Sequence, residues 1–151
     1  MAKAVLGHTG ICVADMDTSR RFYCELFGFE ETYSRKVTGA EFARLMQRPS
    51  LDVQVAVLAL GDKRIELVHH FSPPPIVEPL RSTNTVGLTH FAFYVPDVKA
   101  SAETAELLGG SVLWETYTKI DVQGETREYL YITDPDGVRI ELIRGHLLGE
   151  R

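Results

Sequence analysis

The sequence predicts an α+β fold made of two tandem βαβββ modules, and three observations carry that reading. The tetrapeptide Arg-Ile-Glu-Leu occurs twice, at 64–67 and at 139–142. A second echo sets His8 over His90, so that Val13-Ala14-Asp15 falls on Val95-Pro96-Asp97, Leu26 on Leu108 and Gly28 on Gly110, each pair 82 residues apart. Both copies also run through the same order of strand-like and helix-like patterns. The tetrapeptides are 75 residues apart, so the first copy is longer by seven residues, all inserted between Gly28 and Arg64. Self-similarity of this kind marks a duplicated unit.

Each element has its own signal. "HTGICV" (8–13) is a short strand. Asp15 or Asp17 can cap the helix that follows, because a carboxylate accepts from free first-turn amides. That helix covers 18–27, with Phe22, Leu26 and Phe27 as its apolar stripe. Strands are expected at about 30–37, 52–60 and 63–70. Between the first two, "GAEFARLM" (39–46) reads as a short helix, either a surface excursion or a flap over a pocket. The Pro-rich stretch 72–85 cannot continue a central strand and is the linker. "HFAFYV" (90–95) opens the second copy. Asp97 caps a helix over 98–108, which Gly109-Gly110 stops. Strands then follow at 111–118, 127–133 and 138–144, the last two joined by the turn Asp134-Pro135-Asp136-Gly137. The modules span about 1–71 and 86–146 of a single 151-residue domain.

Composition narrows the class. Apolar residues make up 44% of the chain, enough for a packed core. The net charge of -5 argues against a general nucleic-acid binder, which needs a basic face. No apolar run approaches the ~20 residues of a membrane span. The N-terminal residues do not read as an export signal. Cys12 and Cys24 lack metal-type spacing and read as buried free thiols, in keeping with a reducing cytoplasm.

The chemistry comes from strand alternation, which sends successive side chains to opposite faces. Thr9, Ile11 and Val13 share one face of the first strand; His8, Gly10 and Cys12 share the other. In the second copy Phe91, Phe93 and Val95 oppose His90, Ala92 and Tyr94. Both RIEL strands separate Ile and Leu from Arg and Glu. One bulky face is left to pack on the helix, and a second face carries His8, Glu66, His90 and Glu141. Taken singly, each of these four would be an ordinary half-buried or solvated residue. Their recurrence at matching places in both copies points to function. Two imidazoles and two carboxylates suit one borderline divalent ion such as Zn, Ni, Co, Mn or Fe(II). Glu66 and Glu141 are also the available general bases. His69, His70 and His146 have no repeat partner and are expected at the surface or at a pocket edge. Arg44, Arg48, Lys119 and Arg127 fall between or beside strands and could meet an anionic group.

The pattern resembles the vicinal oxygen chelate superfamily, which includes glyoxalase I, methylmalonyl-CoA epimerase, extradiol dioxygenases, fosfomycin-modifying enzymes and bleomycin-resistance proteins. The resemblance rests on His8 with "VADMDTSRRFYCELFGFE", Glu66 in "RIELV", His90 in "LTHFAFYVPDV" and Glu141 in "DPDGVRIELI". It implies paired βαβββ units, a half-open barrel, a metal held inside it and a homodimer. The His-Glu-His-Glu set is most similar to the glyoxalase I and epimerase branch; dioxygenases typically use two His and one Glu, and drug-sequestering members generally lack the ligands. Glyoxalase I usually has an Arg four residues after its first His and an Asn four after its first Glu, both holding glutathione. Here those positions are Cys12 and His70. Methylmalonyl-CoA epimerase usually has Gln where this chain has Glu66. The resemblance therefore implies an isomerase or epimerase acting beside a ketone or thioester carbonyl, including cyclitol-ketone epimerases. The alternatives are a glyoxalase I (lactoylglutathione lyase), a ring-cleaving dioxygenase and a non-catalytic small-molecule-binding or resistance protein. By resemblance to glyoxalase I, Glu141 is the base and Glu66 the second proton-transfer group.

Overall fold

The computed structural model describes residues 3–122 and 124–145. The chain divides into two compact units, Met1–Val77 and Glu78–Arg151. In the first unit the order is β1 (Thr9–Val13), α1 (Met16–Phe27), β2 (Glu30–Thr38), α2 (Ala40–Leu45), β3 (Asp52–Leu60) and β4 (Lys63–Ser72). The strands lie side by side as β1-β4-β3-β2. β1 runs parallel to β4, with Gly10 opposite Glu66, while the other pairs are antiparallel. In the second unit β5 (Phe91–Tyr94) is followed by α3 (Val98–Leu107), β6 (Ser111–Val112), a 3-10 turn (Trp114–Thr116), β7 (Thr118–Val122), β8 (Glu125–Thr133) and β9 (Arg139–Arg144). Here β5 pairs in parallel with β9, and Ala92 stands opposite Glu141. The fold is thus the expected pair of βαβββ modules, each with its first strand against its last.

The helices begin where the carboxylates dictate. Asp15, not Asp17, caps α1, accepting from the Thr18 amide at 2.8 Å, and that bond holds its carboxyl below the ordinary carboxylate range. Asp97 caps α3 in the same way through Ala100, 3.0 Å away. Gly28 ends α1 in the left-handed conformation that glycine tolerates best. The face of α1 extends beyond the expected stripe. Phe22 and Tyr23 are both fully buried, their rings edge to face at 5.4 Å, whereas Leu26 and Phe27 are half-buried. They accompany Ile11, Val13, Ile65 and Leu67 in the core. The equivalent core of the second unit joins Val98, Ala102 and Ala105 of α3 to Leu130, Ile132, Ile140 and Leu142.

Three expectations need correction. The strand expected at 111–118 is broken into β6 and β7 by the 3-10 turn. The Thr116 hydroxyl donates to the Leu113 carbonyl and accepts from the Tyr131 amide, taking over hydrogen bonds that a continuous strand would make. Residues beyond 118, where no strand was expected before 127, consequently form strand β7, paired with β8. Cys12 is exposed rather than buried, because it lies on the His8 and Gly10 face of β1. The short helix α2 does form. Its Ala43 is buried with Val37, Leu51, Val53, Val55 and Val68, so it is packed on the sheet face shared by Glu66 and His70.

Candidate metal and proton-transfer site

Both histidines sit one residue before their strands begin, at 8 and 90. Parallel pairing then sets each beside the Glu that stands opposite the following small residue. His8 Nε2 is 3.4 Å from Glu66 Oε2, and His90 Nε2 is 3.2 Å from Glu141 Oε2. The structure therefore brings the four expected residues together as two pairs, one in each unit. Among the described residues no three His, Cys, Asp or Glu side chains converge in one cluster.

The donor atoms of each pair fit a metal. Ligand bonds of ~2.0–2.2 Å set at tetrahedral or octahedral angles separate neighbouring donors by roughly 3.0–3.5 Å. The second pair is further prepared. Thr89 Oγ1 is 2.9 Å from His90 Nδ1, so a hydrogen bond on that nitrogen leaves Nε2 to act as ligand. Threonine at this position has Gly7 as its counterpart beside His8. The second pair is also less exposed: 28% and 20% of the side-chain surface for His90 and Glu141, against 51% and 27% for His8 and Glu66.

Glu141 lines a cavity of about 230 Å³ with Thr116, Thr118, Tyr129, Leu130 and Tyr131. Tyr131 stands directly opposite Glu141 on β8, and its ring meets that of His90 edge to face at 5.3 Å. Burial raises the Tyr131 hydroxyl pKa, and the Glu141 charge adds to the effect against the opposing pull of Arg139. Tyr131 thus stays protonated and able to donate a hydrogen bond. Neither Tyr131 nor Thr89 was singled out by sequence reasoning. The alternation in "REYLYIT" was the available signal for Tyr131; for Thr89 there was only adjacency to His90.

A second cavity, of about 180 Å³, belongs to the first unit and is lined by Cys12, Arg48, His70, Pro73, Pro74, Pro75 and Ile76. His70 lies at its edge with its pKa lowered, first by burial and then by Arg48 and His69. His69 is half-buried, its Nδ1 3.3 Å from the Val13 carbonyl oxygen. Arg44 and Lys119 are exposed, whereas Arg127 is buried within β8. His146 lies outside the described residues.

Residues 5–142 match the family model of the Glyoxalase/Bleomycin resistance protein/Dioxygenase superfamily. The chain belongs to this superfamily. Among its relatives within the glyoxalase superfamily is an ethylmalonyl-CoA/methylmalonyl-CoA epimerase of Cereibacter sphaeroides, 27% identical over 91% of this chain and 95% of the relative. A probable lactoylglutathione lyase of Vibrio cholerae is 30% identical over 91% of this chain and 88% of its own. The structure of a glyoxalase family protein from Bacillus cereus superposes with a TM-score of 0.79 at 23% identity, covering 95% of this chain and 97% of that one, and shares the fold. No helix among the described residues is long and apolar enough to cross a membrane.

Proposed function

We propose that this superfamily member is a metal-dependent isomerase or epimerase. It moves a proton at the carbon beside a ketone or thioester carbonyl, in the manner of methylmalonyl-CoA or cyclitol-ketone epimerisation. The observation that carries the reading is the His–Glu pair repeated at equivalent register positions in both units, with donors 3.4 and 3.2 Å apart. On this reading His8, Glu66, His90 and Glu141 would be the ligands of one divalent ion, Zn, Ni, Co, Mn or Fe(II). The pairs come from one chain or from two chains of a homodimer, and the two units work as one cytoplasmic domain joined by residues 72–85. When bound, the ion stabilises negative charge developing on a substrate carbonyl oxygen.

The remaining work falls to the chain's own side chains. Glu141, half-buried in its cavity, takes the proton from carbon and can return it. Glu66 supplies the second proton-transfer group, which lets a proton leave one face of the carbon and arrive on the other. Tyr131, held protonated opposite Glu141, donates to a substrate oxygen and helps fix its orientation. The relative from Vibrio cholerae supports a lactoylglutathione lyase as the second reading. Against it, Cys12 and His70 stand where an Arg and an Asn would hold glutathione, and a lost charge-assisted bond of that kind costs ~1.5–3 kcal/mol.

The test is deuterium wash-in from D2O over a panel of acyl thioesters and hydroxylated ketones. It is run on protein stripped with chelator and then reloaded with each metal in turn. Label should enter the carbon beside the carbonyl only in reloaded protein. Failure of every metal across the panel, or equal exchange without metal, would sink the proposal.

A further inference from the structure

Arg127 is only 7% exposed, and among the described residues its Nε and Nη1 have no hydrogen-bond partner. Two residues along β8, on the same face, the buried hydroxyl of Tyr129 also lacks one. A guanidinium keeps its charge at any ordinary pH, so one removed from water calls for an anion. The neighbouring carboxylate does not supply it. Glu128 points to the opposite face, 3.4 Å from Arg144 and 3.9 Å from Lys119. Across the strands Arg127 stands opposite Ile120, and Tyr129 opposite Ile143. Space is kept for the arginine: a Cβ added at Gly145 would come within 3.1 Å of Arg127 Cγ.

Tyr129 belongs to the wall of the cavity that also contains Glu141. Arg127 is the next residue but one on the same face of β8, beyond the tyrosine on the side away from Tyr131. The geometry points to a subsite in which Arg127 and Tyr129 anchor a carboxylate of the substrate. One guanidinium and one neutral hydroxyl balance a monoanionic carboxylate and leave a phosphate dianion under-compensated. Tyr131 faces Glu141, and Arg127 is four residues farther along β8, about 13 Å at ~3.3 Å per residue. The anchored carboxylate is therefore at the end of the molecule remote from the exchanging carbon. Within the proposed reaction type the substrate becomes a ketone or thioester with a distal carboxylate, a class distinct from methylmalonyl-CoA, whose carboxylate is on the exchanging carbon, and from uncharged cyclitol ketones. This step rests on Glu141 marking the proton-transfer end of the cavity.

Calorimetric titration of chelator-stripped protein isolates the anchor from any metal chemistry. The probes are glutarate, its dimethyl ester and inorganic phosphate. Glutarate should bind in preference to both others. Arg127→Gln should weaken glutarate about 10- to 100-fold, and Tyr129→Phe about 2- to 10-fold, with the diester unaffected. Equal binding of glutarate and diester to the wild type, preference for phosphate, or unchanged glutarate binding in both variants would overturn the assignment. If Arg127→Gln does not fold, the wild-type preference and Tyr129→Phe decide. Glutarate binding through Arg127 without deuterium exchange would keep the anchor and reject the isomerase; exchange without selective glutarate binding would do the reverse.

Discussion

The two units place the same His–Glu pair in the same register, yet they surround it differently. In the first unit the pair is the more exposed, glycine precedes the histidine, and α2 with its valine-rich cluster occupies part of the same sheet face. In the second, Thr89 engages the imidazole, Tyr131 stacks edge-on against it, and a broken second strand leaves a cavity beside the glutamate. Duplication kept the donors; divergence altered what holds and shields them. One register can thus be kept while its surroundings diverge; on the proposed function, the base Glu141 belongs to the more shielded of the two pairs.

The sharpest way to break this comparison is to remove one carboxylate charge at a time. Glu141→Gln should lower turnover by ~10²–10⁴ even at saturating metal, as loss of a general base does. Glu66→Gln should shift the metal titration to higher concentration and recover only part of its turnover at the plateau, because the second proton-transfer group is lost with the ligand. Identical behaviour of the two variants in steady-state kinetics would erase the asymmetry.

A second test asks whether the supporting cores are equal. Leu67 and Leu142, the last residues of the two tetrapeptides, are both fully buried. Truncating either to Ala should cost about 2–5 kcal/mol in urea denaturation, through lost transfer energy and the cavity left behind. A loss confined to one of them would show that only that unit limits stability.

Thr89→Val keeps the shape and removes the hydroxyl that orients His90. Metal affinity should fall ~10- to 100-fold, as for other outer partners of a ligating histidine. Equilibrium competition with a chelating dye measures it. An unchanged affinity would mean that His90 needs no more orientation than His8, whose neighbour is Gly7.

The smallest effect concerns the helix caps. Asp15→Ala and Asp97→Ala should each cost ~1 kcal/mol. The Asp15 carboxyl has a lowered pKa in the folded chain because it accepts from Thr18. Its contribution is therefore complete above the unfolded carboxylate value of about 3.9 and is lost as pH falls through the lower folded value. Asp15→Asn, which caps without titrating, should flatten that part of the stability profile. A parallel acid limb in both proteins would remove Asp15 as its source.

Much of this architecture was legible because a repeated tetrapeptide fixes strand phase. Ile65, Leu67, Ile140 and Leu142 had to share the helix-facing side, which sent Glu66 and Glu141 to the other. Proline at 73–75 and glycine at 109–110 marked the boundaries just as local sterics require. The broken strand was not legible. "SVLWETYTKI" alternates well enough to pass for one strand, and the interruption involves backbone bonds of the turn together with the Thr116 hydroxyl, which accepts from the Tyr131 amide across the sheet. Tyr23 escaped notice because its burial comes from ring packing with Phe22 and Phe29 rather than from helical spacing alone. Arg127 looked like any surface cation until its strand and the small Gly145 were placed beside it.

The parallel pairing of β1 with β4 and of β5 with β9 has a consequence for the order of events during synthesis. Thr9 meets Ile65, and Phe91 meets Ile140. Neither histidine can find its glutamate until nearly a whole module has left the ribosome and its longest loop has closed, the slow part of folding for non-local pairings. A nascent chain ending before residue 60 offers imidazole and no opposing carboxylate. The His–Glu pair of each module is thus completed only when that module is, and on the proposed function metal binding would wait for the same event.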